Sequence, residues 1–363
     1  MKRLVLFCIL CTITPVFAQE PAKTEFVPLP IIAYSPESAL QLGVLGMVLF
    51  VPEGEADAPK DMLVGNAIYS LKNQYQVYAE YEKNFDNGRF KNTGSVGYSV
   101  FPTTYYGVGC DTPESNQEHY TPVEFVAEQA LVYRFMKSVG IGPTYYFNYF
   151  KVSDKEDNKL LDRETPVGGD GALISQPGIR LIYDARNCSF YPSSGDFFMA
   201  EAAASTWVTG SSDDCASFSA DYRRFFNLYN HEYIIGIQLY TALQTGDVPL
   251  PLLESVGGSD HLRGYYASRY MDKNKYAAQT ELRYPLPFVG AVSWLSPLSG
   301  AVFGGVADVA ASYDGFEADT IRWAAGAGLR YAVMKKEKVN VRLDLTVNRE
   351  GSPAFYLDFM EAF

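Results

Sequence analysis

The sequence predicts an all-β protein, a single 16-stranded antiparallel transmembrane β-barrel. Three observations carry this expectation: an export-type N-terminus, long stretches that alternate apolar and polar residues, and abundant aromatic residues and glycine with no helical span.

The N-terminus decides the compartment. Lys2 and Arg3 give a short positive start, an apolar run extends from Leu4 to Phe17, and Val16-Phe17-Ala18 offers a cleavage site before Gln19. This reads as a signal peptide over residues 1–18, with 19–363 as the barrel and no periplasmic domain expected. Cys8 and Cys11 lie inside the apolar run, so no cysteine stands at the cleavage point to carry a lipid anchor. No later segment approaches the roughly 18 consecutive apolar residues of a spanning helix. The 27 Tyr, 23 Phe and 30 Gly suit strands, membrane interfaces and close inter-strand approach. The expected location is the cell outer membrane, with its lipid as the first partner.

Alternation supplies the wall. In 338–348, Val339, Val341, Leu343, Leu345 and Val347 share one face, against Asn340, Arg342, Asp344 and Thr346. Tyr276, Ala278, Thr280, Leu282 and Tyr284 oppose Lys275, Gln279, Glu281 and Arg283, and Tyr75, Val77, Ala79 and Tyr81 oppose Gln74, Gln76, Glu80 and Glu82. Period two with one charged face means a two-sided sheet, and export favours lipid outside and a wet lumen inside over a soluble sandwich. The strands expected on this basis are 26–34, 39–51, 62–71, 75–84, 89–101, 123–134, 139–152, 172–185, 196–208, 217–229, 232–244, 275–284, 301–312, 320–332, 338–348 and 354–363. Sixteen is even, as a single-chain bacterial barrel requires. A periplasmic N-terminus then puts short turns such as 86–88 inside and the longer 102–122, 153–171 and 246–274 outside. In the last strand, Phe355, Leu357, Phe359 and Phe363 are expected on the outward face, with Glu361 at the interface.

A net charge of −12 excludes a nucleic-acid partner, because no basic stripe exists to replace phosphate counterions. Cys110, Cys188 and Cys215 remain after export; the topology puts Cys188 on the other side of the membrane, so any bridge joins Cys110 to Cys215.

Two motifs are more specific than the alternation. One runs Gly257-Gly258-Ser259-Asp260-His261-Leu262-Arg263-Gly264-Tyr265, followed by Glu281-Leu282-Arg283-Tyr284-Pro285. The other is Asp184-Ala185-Arg186-Asn187 leading to Tyr191-Pro192-Ser193-Ser194-Gly195. With them the chain resembles the BamA/TamA-type bacterial surface antigen family, barrels of outer-membrane protein assembly and two-partner secretion. Tyr34-Ser35-Pro36-Glu37-Ser38 resembles that family's first hairpin, and Gly305-Val306-Ala307-Asp308 its thirteenth-strand motif, although Ala310 stands where glycine is usual. The resemblance implies a sixth outer loop whose Leu262-Arg263-Gly264-Tyr265 tip folds back into the lumen, with Arg263 latched on Asp308 and Glu281 nearby. A guanidinium in that position needs carboxylates in fork geometry. For Asp184, Arg186, Pro192 and Gly195 a local turn network at the periplasmic rim is expected. Full assembly factors carry POTRA domains, whereas only about seven residues separate Gln19 from the first strand, so a barrel-only member is expected.

Pro28 and Pro30 lie in the first strand and cannot donate ladder hydrogen bonds, so its junction with the strand ending at Phe363 should be weak, an edge able to pair with a further strand. The bland reading is that the prolines mark a frayed strand start.

No enzyme, metal or cofactor is expected. His119, His231 and His261 are the only histidines, and the neighbours Ser259, Asp260 and His261 point apart in an extended chain and cannot form a relay. The acidic patches lack calcium-loop spacing, and Gly326-Ala327-Gly328 lies on a strand rather than at a nucleotide-binding turn. Two functional readings stand: insertion or translocation of outer-membrane proteins, with unfolded clients or a separate periplasmic protein as partners, and a plugged, narrow or purely structural barrel with no client.

Overall fold

Period-two stretches of this length can satisfy their backbone in lipid only by pairing side by side into a ring, and among the described residues the chain pairs every junction of such a ring but the one between its first and last strands. The computed structural model describes residues 23–35, 39–51, 61–157, 159–189, 191–229, 233–259, 261–286, 297–334 and 339–363. The expected signal peptide, the first hairpin tip and Asp260 lie outside the described residues. Sixteen strands build the wall among them. They are β1 (Lys23–Ser35), β2 (Ala39–Val51), β3 (Asp61–Ser70), β4 (Tyr75–Phe85), β5 (Phe90–Val100), β6 (Glu118–Met136), β7 (Val139–Lys155) and β8 (Gly171–Asp184). The second half comprises β9 (Gly195–Ser205), β10 (Cys215–Leu228), β11 (Tyr233–Gly246), β12 (Asn274–Pro285), β13 (Leu298–Ala310), β14 (Arg322–Met334), β15 (Val339–Asn348) and β16 (Pro353–Phe359). Each pairs antiparallel with its neighbours in sequence, from β1 to β16.

The faces divide as the alternation requires. Val44, Val77, Ile179, Leu239 and Leu345 are exposed on the outside, each at least half accessible, and form part of an apolar band. On the inside of β12, β14 and β15, by contrast, Glu281, Arg283, Arg330, Arg342 and Asp344 are buried.

The ring closes without a zipper. Cα atoms of β1 and β16 come within 8 Å, yet among the described residues no backbone ladder joins them. Pro28 and Pro30 sit in β1, which keeps an unbroken register with β2 from Lys23↔Val51 to Ser35↔Ala39. Two residues apart, they remove two donors from the same edge of the strand.

Two departures from the expected boundaries matter. β6 starts at Glu118, because residues 118–120 pair with a short strand, Thr103–Tyr105, inside the expected outer loop. Above it lies a short helix, Leu160–Glu164, whose first amides donate to the Glu118 carboxylate (2.5 and 2.8 Å). Tyr105, Tyr120, Phe150, Leu161, Leu250 and Met271 pack into a small apolar core there, so the outer loops cap the mouth. The second departure is at the other end. β16 stops at Phe359 and Met360 takes a positive φ of 62°. Residues 360–363 turn into the lumen instead of continuing the outward face. Phe363 is buried against Phe225 and Ile234 on the far wall, and Glu361 is not interfacial but part of a buried ion cluster. Cys110, Cys188 and Cys215 are free thiols.

The outward band makes a direct expectation. Leu343 lies mid-strand on the lipid side between Leu329 and Leu357. Leu343→Arg should cost roughly 2–4 kcal/mol in a urea titration of folding into vesicles. An unchanged midpoint would place that face away from lipid.

Candidate functional site

The sixth outer loop connects β11 to β12 and is shaped by glycines. Gly257 and Gly258 take φ of 116° and 86°, and Gly264 takes 136°, conformations that L side chains resist. At Gly264 a Cβ would also come within 2.9 Å of Ala324 Cβ on the wall. Its amide donates to the Tyr356 hydroxyl (3.1 Å), and its carbonyl accepts from Asn348 Nδ2 (2.9 Å). Leu262 and Tyr265 join Val256, Tyr270, Ala307, Val309 and Ala324 in one apolar cluster. The Tyr265 hydroxyl donates to Glu350 (2.7 Å). These contacts bind the loop tip to the inner faces of β13 to β16.

Arg263 is 2% exposed and lies between three strands. Its Nη2 donates to Glu281 Oε2 of β12 (2.8 Å), its Nη1 donates to Asp344 Oδ2 of β15 (2.6 Å), and its guanidinium lies 3.5 Å from the Phe303 ring centroid on β13. Asp308 is not its partner. The register pairs Glu281 with Phe303 and Tyr276 with Asp308. Asp308 is therefore an odd number of residues from Phe303, which puts it on the opposite face of the wall. There it accepts from Thr320 Oγ1 (2.5 Å) and the Val309 amide (2.9 Å).

The carboxylates that hold Arg263 are shared. Arg330 of β14 binds Asp344, Glu281 (3.1 Å) and Glu361 (2.9 Å). Arg283 binds Glu281 (2.9 Å) and reaches the Phe363 carbonyl (3.2 Å). Arg342 binds Asp358 (2.9 Å) and the Ser259 carbonyl of the loop (3.2 Å). Four arginines thus face four carboxylates in one linked network, buried except for the Asp358 end. Space for it comes from Gly326 and Gly328 on β14, where a Cβ would strike the Phe303 ring (2.7 Å) and Asp344 Oδ1 (2.1 Å).

The second motif meets the same cluster from below. Asp184 and Arg186 form a two-point ion pair (2.9 Å for both contacts), and Arg186 lies over the Phe197 ring at 4.4 Å. Gly195 has φ 101°, and a Cβ there would overlap the Ala185 carbonyl at 2.2 Å. The Pro192 carbonyl accepts from Arg283 Nη1 (3.3 Å), and the Tyr191 ring lies under the same guanidinium, 5.1 Å away. Burial pushes the Tyr191 phenol up to about 12, so it stays neutral. The structure brings together Leu262, Arg263, Gly264, Tyr265 and Glu281, and joins Pro192 and Phe363 to them through Arg283. It leaves Asp308, Pro28 and Pro30 elsewhere. The sequence reading did not assign Asp344, Arg330, Arg342 and Glu361 to the site. The signal was present as opposite charges on the inward parity of neighbouring strands.

The rest of the lumen is open. A cavity of about 770 Å³ lies toward β4–β9, lined by Glu80, Glu82, Glu128, Glu201, Arg180 and Tyr146 among others. No group of three or more metal-ligating side chains occurs among the described residues.

These features define an outer-membrane β-barrel with an internally bound loop and an unzipped first-to-last junction. The family model of the Omp85 superfamily domain matches residues 65–333, about three quarters of the chain, and the protein belongs to that superfamily. Among solved structures it is similar to "BamA from Haemophilus ducreyi lacking POTRA domains 1-3", with TM-score 0.63 at 13% identity, covering 94% of this chain and 71% of that one. It is also similar to CdiB from Acinetobacter baumannii (TM-score 0.57, 12% identity, 94% and 60% covered) and CdiB from Escherichia coli (0.58, 13%, 94% and 63%). The chain thus spans less than two thirds of either CdiB chain. No curated protein matches it.

Two outcomes are expected. Arg263→Ala should loosen the loop by an amount toward the low end of roughly 3–5 kcal/mol, since Glu281 and Asp344 keep Arg330. Faster proteolysis within 257–265 and a higher ion conductance would register it; unchanged values of both would reject the arginine as a latch. The second concerns His261, stacked on Tyr240 at 4.3 Å with Lys275 Nζ 3.0 Å from its Nδ1. Burial first, then the Lys275 charge, holds its pKa well below the ordinary value, so the docked loop keeps it neutral. The undocked ring takes up a proton below about pH 6.5, and docking weakens as pH falls through that value. Loop proteolysis should therefore accelerate between pH 7.5 and 5.5, and His261→Gln should flatten that dependence.

Proposed function

We propose that the protein inserts or translocates outer-membrane polypeptides, using the β1–β16 junction as the edge on which a client strand pairs and the bound sixth loop as the internal brace of β12 to β16, the wall that leads up to that junction. The observation that carries this reading is the unpaired junction. A spanning wall must hydrogen-bond its edges or open them to another strand. Pro28 and Pro30 lower the donor count of β1, and β16 offers seven residues before it turns inward. Superfamily membership and the likeness to BamA and CdiB barrels support the direction of the reading. Catalytic chemistry has no part in it, and a periplasmic partner protein delivers the client.

The capped mouth and the loop bound inside the lumen favour a second reading, a plugged barrel without a client. One experiment separates the two. The barrel, with Cys110, Cys188 and Cys215 changed to Ser and one cysteine placed in each of β1 and β16, is reconstituted in liposomes. Insertion of an unfolded barrel client is then followed by its protease protection. Client insertion should run faster than in empty liposomes, fall at least about fivefold on oxidation and recover on reduction. A rate equal to that of empty liposomes would leave the plugged barrel; a rate indifferent to the tether would remove the junction from the mechanism.

A further inference from the structure

The lipid face is not evenly filled. Across β9 to β13 the register sets Phe198, Tyr222, Leu239, Ala278 and Val306 in one outward row. The next row toward the outer mouth is Ala200, Ala220, Thr241, Tyr276 and Asp308. Ala278 lies between Leu239 and Val306, and Ala220 beside Tyr222, so the two alanines form the floor of a recess between larger side chains. The outer loop between β13 and β14 closes it above. Phe316 packs on Tyr276 with ring centroids 4.3 Å apart, and Ile321 completes the roof. Thr320 holds that loop to Asp308 (2.5 Å), and Arg349 donates to the carbonyls of Asp319 (2.6 Å) and Ile321 (3.0 Å). The recess has a volume of about 490 Å³.

We infer that this recess seats one hydrocarbon chain of an outer-leaflet lipid, so that the barrel binds a lipid at a defined site rather than only as solvent. The recess opens on the apolar band that meets the bilayer, just below the row of Tyr276 on the side of the outer mouth. Its surface is almost wholly carbon. The one carboxylate nearby, Asp308, is 4% exposed and satisfied by Thr320 and the Val309 amide. Water needs two to four polar partners and finds no such set here, while an empty recess forfeits dispersion contacts along its whole lining. A client strand is equally unsuited, since β9 to β13 are paired on both edges and offer no free backbone. An acyl chain needs neither, and each buried methylene contributes. The inference stands apart from the insertion activity and does not require it.

The test is retention of lipid. Protein reconstituted in phosphatidylcholine vesicles, extracted in mild detergent and weighed by native mass spectrometry should carry one phosphatidylcholine. Ala278→Phe, which fills the floor, and Phe316→Ala, which removes the roof from a loop outside the wall, should each reduce that adduct about tenfold. Ala202→Phe, outward on β9 beyond the recess, should keep it. Heat-modifiable gel mobility confirms that each variant is folded. Absence of the adduct from the unaltered folded protein overturns the inference. So does its persistence in folded Ala278→Phe and Phe316→Ala, or its equal loss in Ala202→Phe.

Discussion

The inner architecture depends on one interaction, the shared hold of Glu281 and Asp344 on three guanidiniums. Glu281 is fully buried and touches Arg263, Arg283 and Arg330; Asp344 touches Arg263 and Arg330. Ions removed from water in this way are tolerable only when every charge is matched and oriented. The arrangement is charge-neutral across four arginines and four carboxylates, and the glycines of β14 leave it room. The loop, the periplasmic turn after β8 and the inturned residues 360–363 all gain their position from it. These segments are far apart in sequence and arrive from both ends of the cylinder.

The wall was legible because its cause is local. Lipid on one side and polar atoms on the other impose period two, and stretches such as 338–348 show it without any tertiary knowledge. The Leu262-Arg263-Gly264-Tyr265 tip and Glu281 were legible for a different reason. The family resemblance put the tip in the lumen, where a guanidinium demands a carboxylate, and parity puts Glu281 inside. Asp308 illustrates the limit. The family resemblance and its place on the adjacent strand suggested it, but strand parity, once the register with β12 is known, turns it outward toward Thr320. Register is a nonlocal quantity set by the pairing of whole strands.

The end of β16 was illegible for a related reason. Phe355, Leu357, Phe359 and Phe363 share a parity, so alternation alone extends the strand to the last residue. A single positive φ at Met360 ends that logic. What draws the chain inward is a carboxylate, Glu361, seeking Arg330 and Asn340, and a ring, Phe363, seeking Phe225. Neither preference is visible until the neighbouring strands and the facing wall are in place. Pro28 and Pro30 are the reverse case, since a missing donor is a property of the residue itself, but which neighbour goes without it depends on closure of the ring.

Sharing also determines how the loop can leave. An exclusive pair, once broken, strands two charges in a dry place. Here, withdrawal of Arg263 leaves Glu281 with Arg283 and Arg330, and Asp344 with Arg330. The socket stays neutral enough to keep its shape while empty, and the departing guanidinium regains water. Such a seat does not collapse behind its occupant, which makes docking repeatable and keeps the return path as well defined as the exit.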